Sequence, residues 1–344
     1  MAKNYKPVYR KQKTVMSTSV KVIIVLLVVI VITLLAFLIK VIAEKALDPN
    51  IVYPSGETGE YNGAQTDPDT PDKPGVTDEA TAETAEDKIK VRGIERSKLD
   101  TKIGSLVLVN KDNAYSLPPA QKLVILYDKP HEGCFSLASI SEQLTKEAYE
   151  ALYDMTKDHA DRTDFRIMSS YRDTEAQQEY YDKNVKKEAD RIYYEMPGYS
   201  DHHTGLAFDV MLFDKDGNPY TYGRYAKELV PGIFEDYKYY GFIMRYPVSK
   251  SAITGIDGET NHFRYVGVPH SVYITDNNLC LEEYLESVKK YTYEEPLKIT
   301  VEYNGRYDEY CVWYCGGDTV FVPKNEDYTI SGDNLGGFIV TVKL

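Results

Sequence analysis

His202, Asp209 and His262 are the residues of this chain best suited to hold a metal ion, and Glu259 stands three positions before the last of them. Two imidazoles and one carboxylate make a zinc donor set that leaves a position open for water. A nearby carboxylate that is not a ligand can take a proton from that water, which is the arrangement a metal-dependent hydrolase needs. Each residue taken singly has a plainer reading. Asp209 lies within the apolar run GLAFDVMLF, where an unpaired charge is costly, so it needs either a metal or a salt bridge to an arginine. His262 alone reads as an ordinary strand histidine. Arg172, in SSYRD, is suited to bidentate capture of a carboxylate or to steadying an oxyanion, or is a surface arginine with no special task. His131, His159 and His270 lie outside these segments and read as ordinary core or surface residues.

Positioning such a set takes strands and tight turns. Gly198 and Gly205 let the backbone turn on both sides of His202. GLAFDVMLF (205–213) reads as a buried strand, and LVLVN (106–110), FRIMS (165–169), FIMRY and HFRYV as further strands. Ser139 with Glu142 forms a capping-box pattern ahead of the helical stripe Leu144, Ala148, Leu152 and Met155. Thr174 with Gln177 forms a second, opening a helix to about Asp190, and a third helix fits 224–240, ended by Gly241. Helices flanking a small sheet imply an α+β domain over 91–291. After Pro296 the chain changes to short β-type runs separated by NG, GG and GD turns, a small all-β module over 296–344. It reads as an accessory unit packed on the first domain, or as a wall- or partner-binding module.

The 344 residues carry 43% hydrophobic side chains and a net charge of -13, which argues against nucleic acid as a partner. The acid is unevenly spread. Residues 1–21 are basic and lack acids altogether, whereas 43–90 are rich in Asp, Glu, Thr, Pro and Gly and read as a disordered, extended acidic linker. Between them Val22 to Ile39 is an apolar run flanked by Lys21 and Lys40. At about 1.5 Å per residue it just spans a ~30 Å hydrocarbon core. The expectation is a transmembrane helix over 22–42 with residues 1–21 in the cytoplasm and the rest outside the cell membrane. A cleaved signal peptide, with Val41 and Ala43 before the cut, is the alternative, and it exports the same residues. The four cysteines read as free buried thiols. Cys311 and Cys315 on one strand would lie roughly 13 Å apart, too far to bridge, although a turn between them would change that. Cys134 and Cys280 have a pairing that sequence leaves open.

Three segments in order, SSYR at 169–172, SDHHTGLAFD at 200–209 and ETNHFRYVG at 259–267, together with LVLVNKDNAYSLPP at 106–119 and GFIMRYP at 241–247, resemble the VanY-type D-alanyl-D-alanine carboxypeptidases of the LAS metallopeptidase group. The resemblance implies the LAS (hedgehog-type) α+β fold with a small central antiparallel sheet. It implies Zn2+ held by His202, Asp209 and His262, Glu259 as catalytic base, and Arg172 as a contact for substrate or transition state. Ser170, Tyr171 and Ser200, inside the same segments, are implied as further substrate contacts. The implied activity is removal of the terminal D-Ala from peptidoglycan stem peptides; an L,D-carboxypeptidase acting on tetrapeptide stems and a non-catalytic wall-binding protein are the rivals. The chain departs from the family in three places. Thr260-Asn261 replaces a usual Pro-Trp, Asp201 replaces a common Glu, and His203 stands where a Gln is common, offering a second candidate beside His202.

Overall fold

The apolar run around Asp209 and the alternating segment that begins at His262 build the sheet that carries them. The computed structural model describes residues 89–159, 165–213 and 231–344. In chain order its main elements are β1 (Val91–Glu95), β2 (Leu123–Ile125), β3 (Ser136–Leu137), β4 (Gln143–Thr145), α1 (Lys146–Asp158), β5 (Phe165–Ser169), α2 (Thr174–Asn184) and β6 (Ala207–Leu212). There follow α3 (Pro231–Asp236), β7 (Phe242–Met244), α4 (Ser251–Thr254), β8 (His262–Tyr265), α5 (His270–Asp276), α6 (Leu281–Val288), β9 (Leu297–Tyr303), β10 (Arg306–Cys315), β11 (Thr319–Pro323), β12 (Tyr328–Gly332) and β13 (Phe338–Lys343).

The central sheet has the order β3-β5-β6-β8-β7. Four of its strands pair antiparallel, and β3 joins β5 in parallel. On one face Phe208 stacks on Phe263 with ring centroids 5.4 Å apart, joined by Phe165 and Phe242. Against that face packs α1 through Ala148, Leu152 and Met155, the stripe legible in the sequence. The other face holds Asp209 directly opposite His262. Between Ile167 and Ser169 the β5–β6 register shifts, so Ser169 turns to the polar face opposite Asp209 although Ile167 and Phe165 point into the core.

Several local expectations shift. The capping residue of α1 is Thr145, whose hydroxyl accepts from the Ala148 N–H at 3.3 Å, and not Ser139. The residues before it, Gln143–Thr145, are drawn instead into pairing with β2. Asp173 caps α2, which ends at Asn184 rather than near Asp190. Leu106–Asn110 is buried but forms no strand. Side chains meet much of its backbone instead: Leu106 N–H donates to Ser331, the Val107 and Val109 carbonyls accept from Arg264 and Arg245, and the Leu108 carbonyl accepts from Asn334, while the Leu108 N–H donates to the Asp333 carbonyl. The basic tail (1–21), the membrane helix (22–42), the linker up to residue 88 and the first part of the 224–240 helix lie outside the described residues. No helix among the described residues is long and apolar enough to cross a membrane.

The C-terminal strands form a sheet in the order β12-β13-β10-β9. One face, with Leu297, Ile299 and Val312, shares a core cluster with Leu106, Ile243, Val272 and Leu285 from the body that bears the central sheet. The opposite face, with Trp313, Phe338 and Val340, is covered by β1 and β11, which pair with each other from Val91↔Pro323 to Glu95↔Thr319. All four cysteines are free and buried.

His270 joins the two parts. Its ring nitrogens meet the Tyr284 hydroxyl at 2.5 Å and the Thr341 hydroxyl, on β13, at 3.0 Å. Burial pushes its pKa down from 6.5 to about 3. The unfolded chain therefore takes up a proton near pH 6.5 that the folded chain refuses until about pH 3, so stability is full above pH 6.5 and drains as pH falls between those values. The expected slope is about 1.4 kcal/mol per pH unit from this group. His270→Gln flattens the fall in Tm between pH 6.5 and 4.5 relative to wild type; parallel melting curves would show that another group carries the acid lability.

Candidate metal centre

His202 stands in a 3-10 turn, Asp201–Thr204, just before β6. The Ser200 hydroxyl caps the turn by accepting from the His202 N–H, and Gly205 ends it at φ 67°, where a side chain would be strained and would also strike Leu123. The Nδ1 of His202 lies 2.6 Å from the Ser170 carbonyl. That contact fixes the tautomer with the proton on Nδ1 and leaves the Nε2 lone pair free. Nε2 lies 3.2 Å from the Asp209 carboxylate. On the neighbouring strand Nδ1 of His262 lies 3.0 Å from the other Asp209 oxygen and 3.5 Å from Glu259 Oε2.

His202, Asp209 and His262 thus each offer a ligand atom, all within 4.8 Å of one another, and the two imidazoles are buried. Two nitrogens and one oxygen at this spacing suit a tetrahedral zinc ion with a position left over. The electrostatics fit a cation as well. Burial raises the Asp209 carboxyl, but His202 and His262 outweigh it and hold the group well below the usual range. Burial pushes Glu259 up to about 8; the negative charges of Asp209 and Glu195 add to the rise, and His262 and Arg172 oppose it. A crowd of carboxylates around two imidazoles is the setting that a dication neutralises.

The structure separates the two adjacent histidines. Both ring nitrogens of His203 are taken by the backbone, Nε2 accepting from Gly198 N–H at 2.9 Å and Nδ1 meeting the Arg172 carbonyl at 2.7 Å. Only His202 reaches the cluster.

Arg172 is gripped from several sides. Its Nε donates to Gln177 at 2.7 Å and its Nη1 to Ser169 Oγ at 2.5 Å; its guanidinium lies over the Tyr180 ring at 4.5 Å. Asp209 and Glu195 carboxylates each stand 3.9 Å away. The register shift in β5 is what brings Ser169 to this place. Ser170 and Ser200, expected to touch substrate, turn inward instead. The Ser170 hydroxyl donates to Glu142 at 2.5 Å and accepts from Gln143 N–H, while Ser200 donates to Glu195 at 2.6 Å. Both are buried, so their hydroxyls hold the turn and the strand end that position His202. Tyr171 is half-buried, its N–H donating to the Gln143 carbonyl.

Sequence reasoning missed Glu195 and Tyr246. Glu195 accepts from Ser200 and from the Asp201 N–H, is joined by the Tyr246 hydroxyl, and faces Arg172. Burial opposes its ionisation, yet His262, His202 and Arg172 outweigh that and hold its carboxyl below the usual range. The Tyr246 ring packs edge-on to His262 at 4.9 Å. Glu195 lies in a loop with no local pattern to announce it, whereas Tyr246 lies within the GFIMRYP segment at 241–247 and that segment could have drawn attention to it.

Comparison with known proteins points the same way. The family model described as "VanY: D-alanyl-D-alanine carboxypeptidase" matches residues 141–268, which contain all of these site residues. A D-alanyl-D-alanine carboxypeptidase of Enterococcus faecium is 33% identical over 247 residues, covering 70% of this chain and 75% of that one. The putative carboxypeptidase YodJ of Bacillus subtilis (strain 168) is 35% identical over 208 residues, covering 58% of this chain and 73% of its own. The crystal structure of the vancomycin-resistance D,D-dipeptidase VanXYg in complex with a D-Ala-D-Ala phosphinate analogue superposes with a TM-score of 0.61 at 29% identity, covering 74% of this chain and 99% of that one. With a shared fold, a matching family model over residues 141–268 and a third of the residues identical over most of an enterococcal relative, the chain belongs to the VanY family of D-alanyl-D-alanine carboxypeptidases, which are metallo-hydrolases.

Proposed function

We propose that this protein is a zinc-dependent D,D-carboxypeptidase that removes the terminal D-Ala from peptidoglycan stem peptides. The observation that carries the reading is the meeting of His202 Nε2, Asp209 and His262 Nδ1 within 4.8 Å, with Glu259 3.5 Å from the last. His202, Asp209 and His262 would hold the zinc, which when bound acts as a Lewis acid toward a carbonyl oxygen and lowers the pKa of water. Glu259 takes the proton of the attacking water and returns it to the leaving amine. Arg172, held in place by Ser169, Gln177 and Glu195, presents a fixed positive charge for the free carboxylate of the terminal residue. The names of the family relatives support D-Ala-D-Ala as the substrate end. The apolar run Val22–Ile39 with its basic N-terminal flank supports a single membrane anchor, an N-terminus in the cytoplasm and a site that works outside, tethered by the acidic linker 43–90.

Synthetic stem peptides test this directly. The zinc-loaded chain is expected to shorten a pentapeptide ending in D-Ala-D-Ala by one alanine and to leave the tetrapeptide intact, as read by mass. Trimming of the tetrapeptide alone would make the protein an L,D-carboxypeptidase, and intact peptides of both kinds would make it a wall-binding protein. Arg172→Lys is expected to lower kcat/KM by roughly 10–100-fold on the free acid. On the C-terminal amide of the same peptide the loss should be far smaller, and equal losses on both substrates would remove Arg172 from carboxylate recognition.

A further inference from the structure

Behind the metal centre lies a buried charge cluster of two arginines and two acids. Asp201 is wholly buried, next to His202 in sequence but pointing away from it. Its Oδ1 accepts from Arg264, whose remaining donors go to the carbonyls of Tyr265, Ser105 and Val107. Arg245 forks onto Glu282 of α6 at 2.7 and 2.9 Å and donates to the Val109 carbonyl. These four charges cancel. The second Asp201 oxygen is left over, 3.7 Å from Nε2 of His262 and 3.7 Å from Nε of Arg245. All three of these atoms are buried, and none has a hydrogen-bond partner.

We propose that Asp201 is a positioning residue for the metal: its Oδ2 takes the Nε2–H of His262 and so holds that ring in the tautomer whose Nδ1 lone pair faces Asp209 and Glu259. An imidazole presents a lone pair on one nitrogen only when its proton is on the other, and the group that receives the proton decides which. Among the described residues His262 Nε2 has no hydrogen-bond partner, and the unpartnered Asp201 Oδ2 stands 3.7 Å from it. A gap of 3.7 Å closes to hydrogen-bond length by less than an ångström of side-chain movement. Arg264 and Arg245 anchor Asp201 to the 105–109 segment and to α6, so the second histidine is aimed by a rigid scaffold far from it in sequence. His202 is aimed differently, by the Ser170 carbonyl.

The inference rests on the metal reading above, and the test separates the two. Zn2+ affinity is measured on the full chain by competition with a chromophoric chelator, alongside the melting temperature of the metal-free form. Asp201→Asn is expected to bind Zn2+ about 10–100-fold more weakly than wild type, with most of the affinity regained in Asp201→Glu. A purely structural Asp201 would lower the melting temperature and leave Zn2+ affinity unchanged, which would overturn the inference. Should Asp201→Asn fail to fold, 15N-histidine NMR of the metal-free wild type decides: a proton held on His262 Nε2 before zinc is added supports the assignment, and a ring protonated only at Nδ1 overturns it. A wild-type chain that takes up no Zn2+ overturns the metal reading, and this inference with it.

Discussion

Glu259→Ala is expected to cut hydrolysis of a D-Ala-D-Ala-terminated peptide by roughly 10²–10⁴-fold while Zn2+ still binds. The carboxylate stands at the edge of the donor set, 3.5 Å from His262 Nδ1, and is more open to solvent than Asp209 beside it. Its position follows from a loop that has little freedom. The Glu259 N–H donates to the Tyr246 carbonyl at 2.9 Å, and Gly258 lies against Val248 so closely that a Cβ would collide with its backbone. Burial pushes the Glu259 carboxyl up to about 8 in the metal-free chain, and a dication beside it would draw that value down, leaving a carboxylate able to take a proton from activated water. A base must be ionised to act, so the rate falls as pH drops through the value this group has in the loaded enzyme. Glu259→Gln keeps the shape and loses that acid limb together with the rate. Hydrolysis at the wild-type rate in either variant would remove Glu259 from the reaction; loss of Zn2+ in Glu259→Ala would make it a ligand rather than a base.

Asp209→Ala has the second large effect, on metal rather than on proton transfer. The carboxylate sits between the two imidazoles, at 3.2 Å from His202 and 3.0 Å from His262, with Arg172 at 3.9 Å. Its removal deletes one donor of three and leaves a cationic guanidinium beside the remaining two. Structural zinc sites bind with about 10–16 kcal/mol over four ligands, so one ligand accounts for about 2.5–4 kcal/mol, a drop of roughly 10²–10³ in Zn2+ affinity. Peptide hydrolysis is expected to fall below detection at micromolar Zn2+ and to return in part at high Zn2+. Undiminished affinity in a chelator competition would show that the metal is held elsewhere.

Much of the site was legible before any coordinates. The identities of His202, Asp209, His262, Glu259 and Arg172 came from motif order and from the oddity of a carboxylate within an apolar run. The strand around Asp209 was legible as a short continuous apolar run, and the α1 stripe because Ala148, Leu152 and Met155 recur at helical spacing. Other readings failed for physical reasons. Leu106–Asn110 has strand-like composition, but its backbone is met by the side chains of Arg245, Arg264, Ser331 and Asn334 and by the Asp333 carbonyl, and no local pattern announces such distant partners. Ser170 and Ser200 had the chemistry of substrate contacts; burial against Glu142 and Glu195 gave them a supporting task.

Sequence by itself determined the residue types, their order and the local conformations that follow from them, including the tight turn that Gly205 allows after His202. Tertiary structure alone decided the register that sets Asp209 opposite His262, the backbone contacts that occupy both ring nitrogens of His203, and the pairing of β1 with β11 at the far end of the chain. The division has a simple cause. Propensity, capping and hydrophobic period act over a few neighbouring residues, whereas register, tautomer and ionisation depend on which groups the folded chain brings within hydrogen-bond reach.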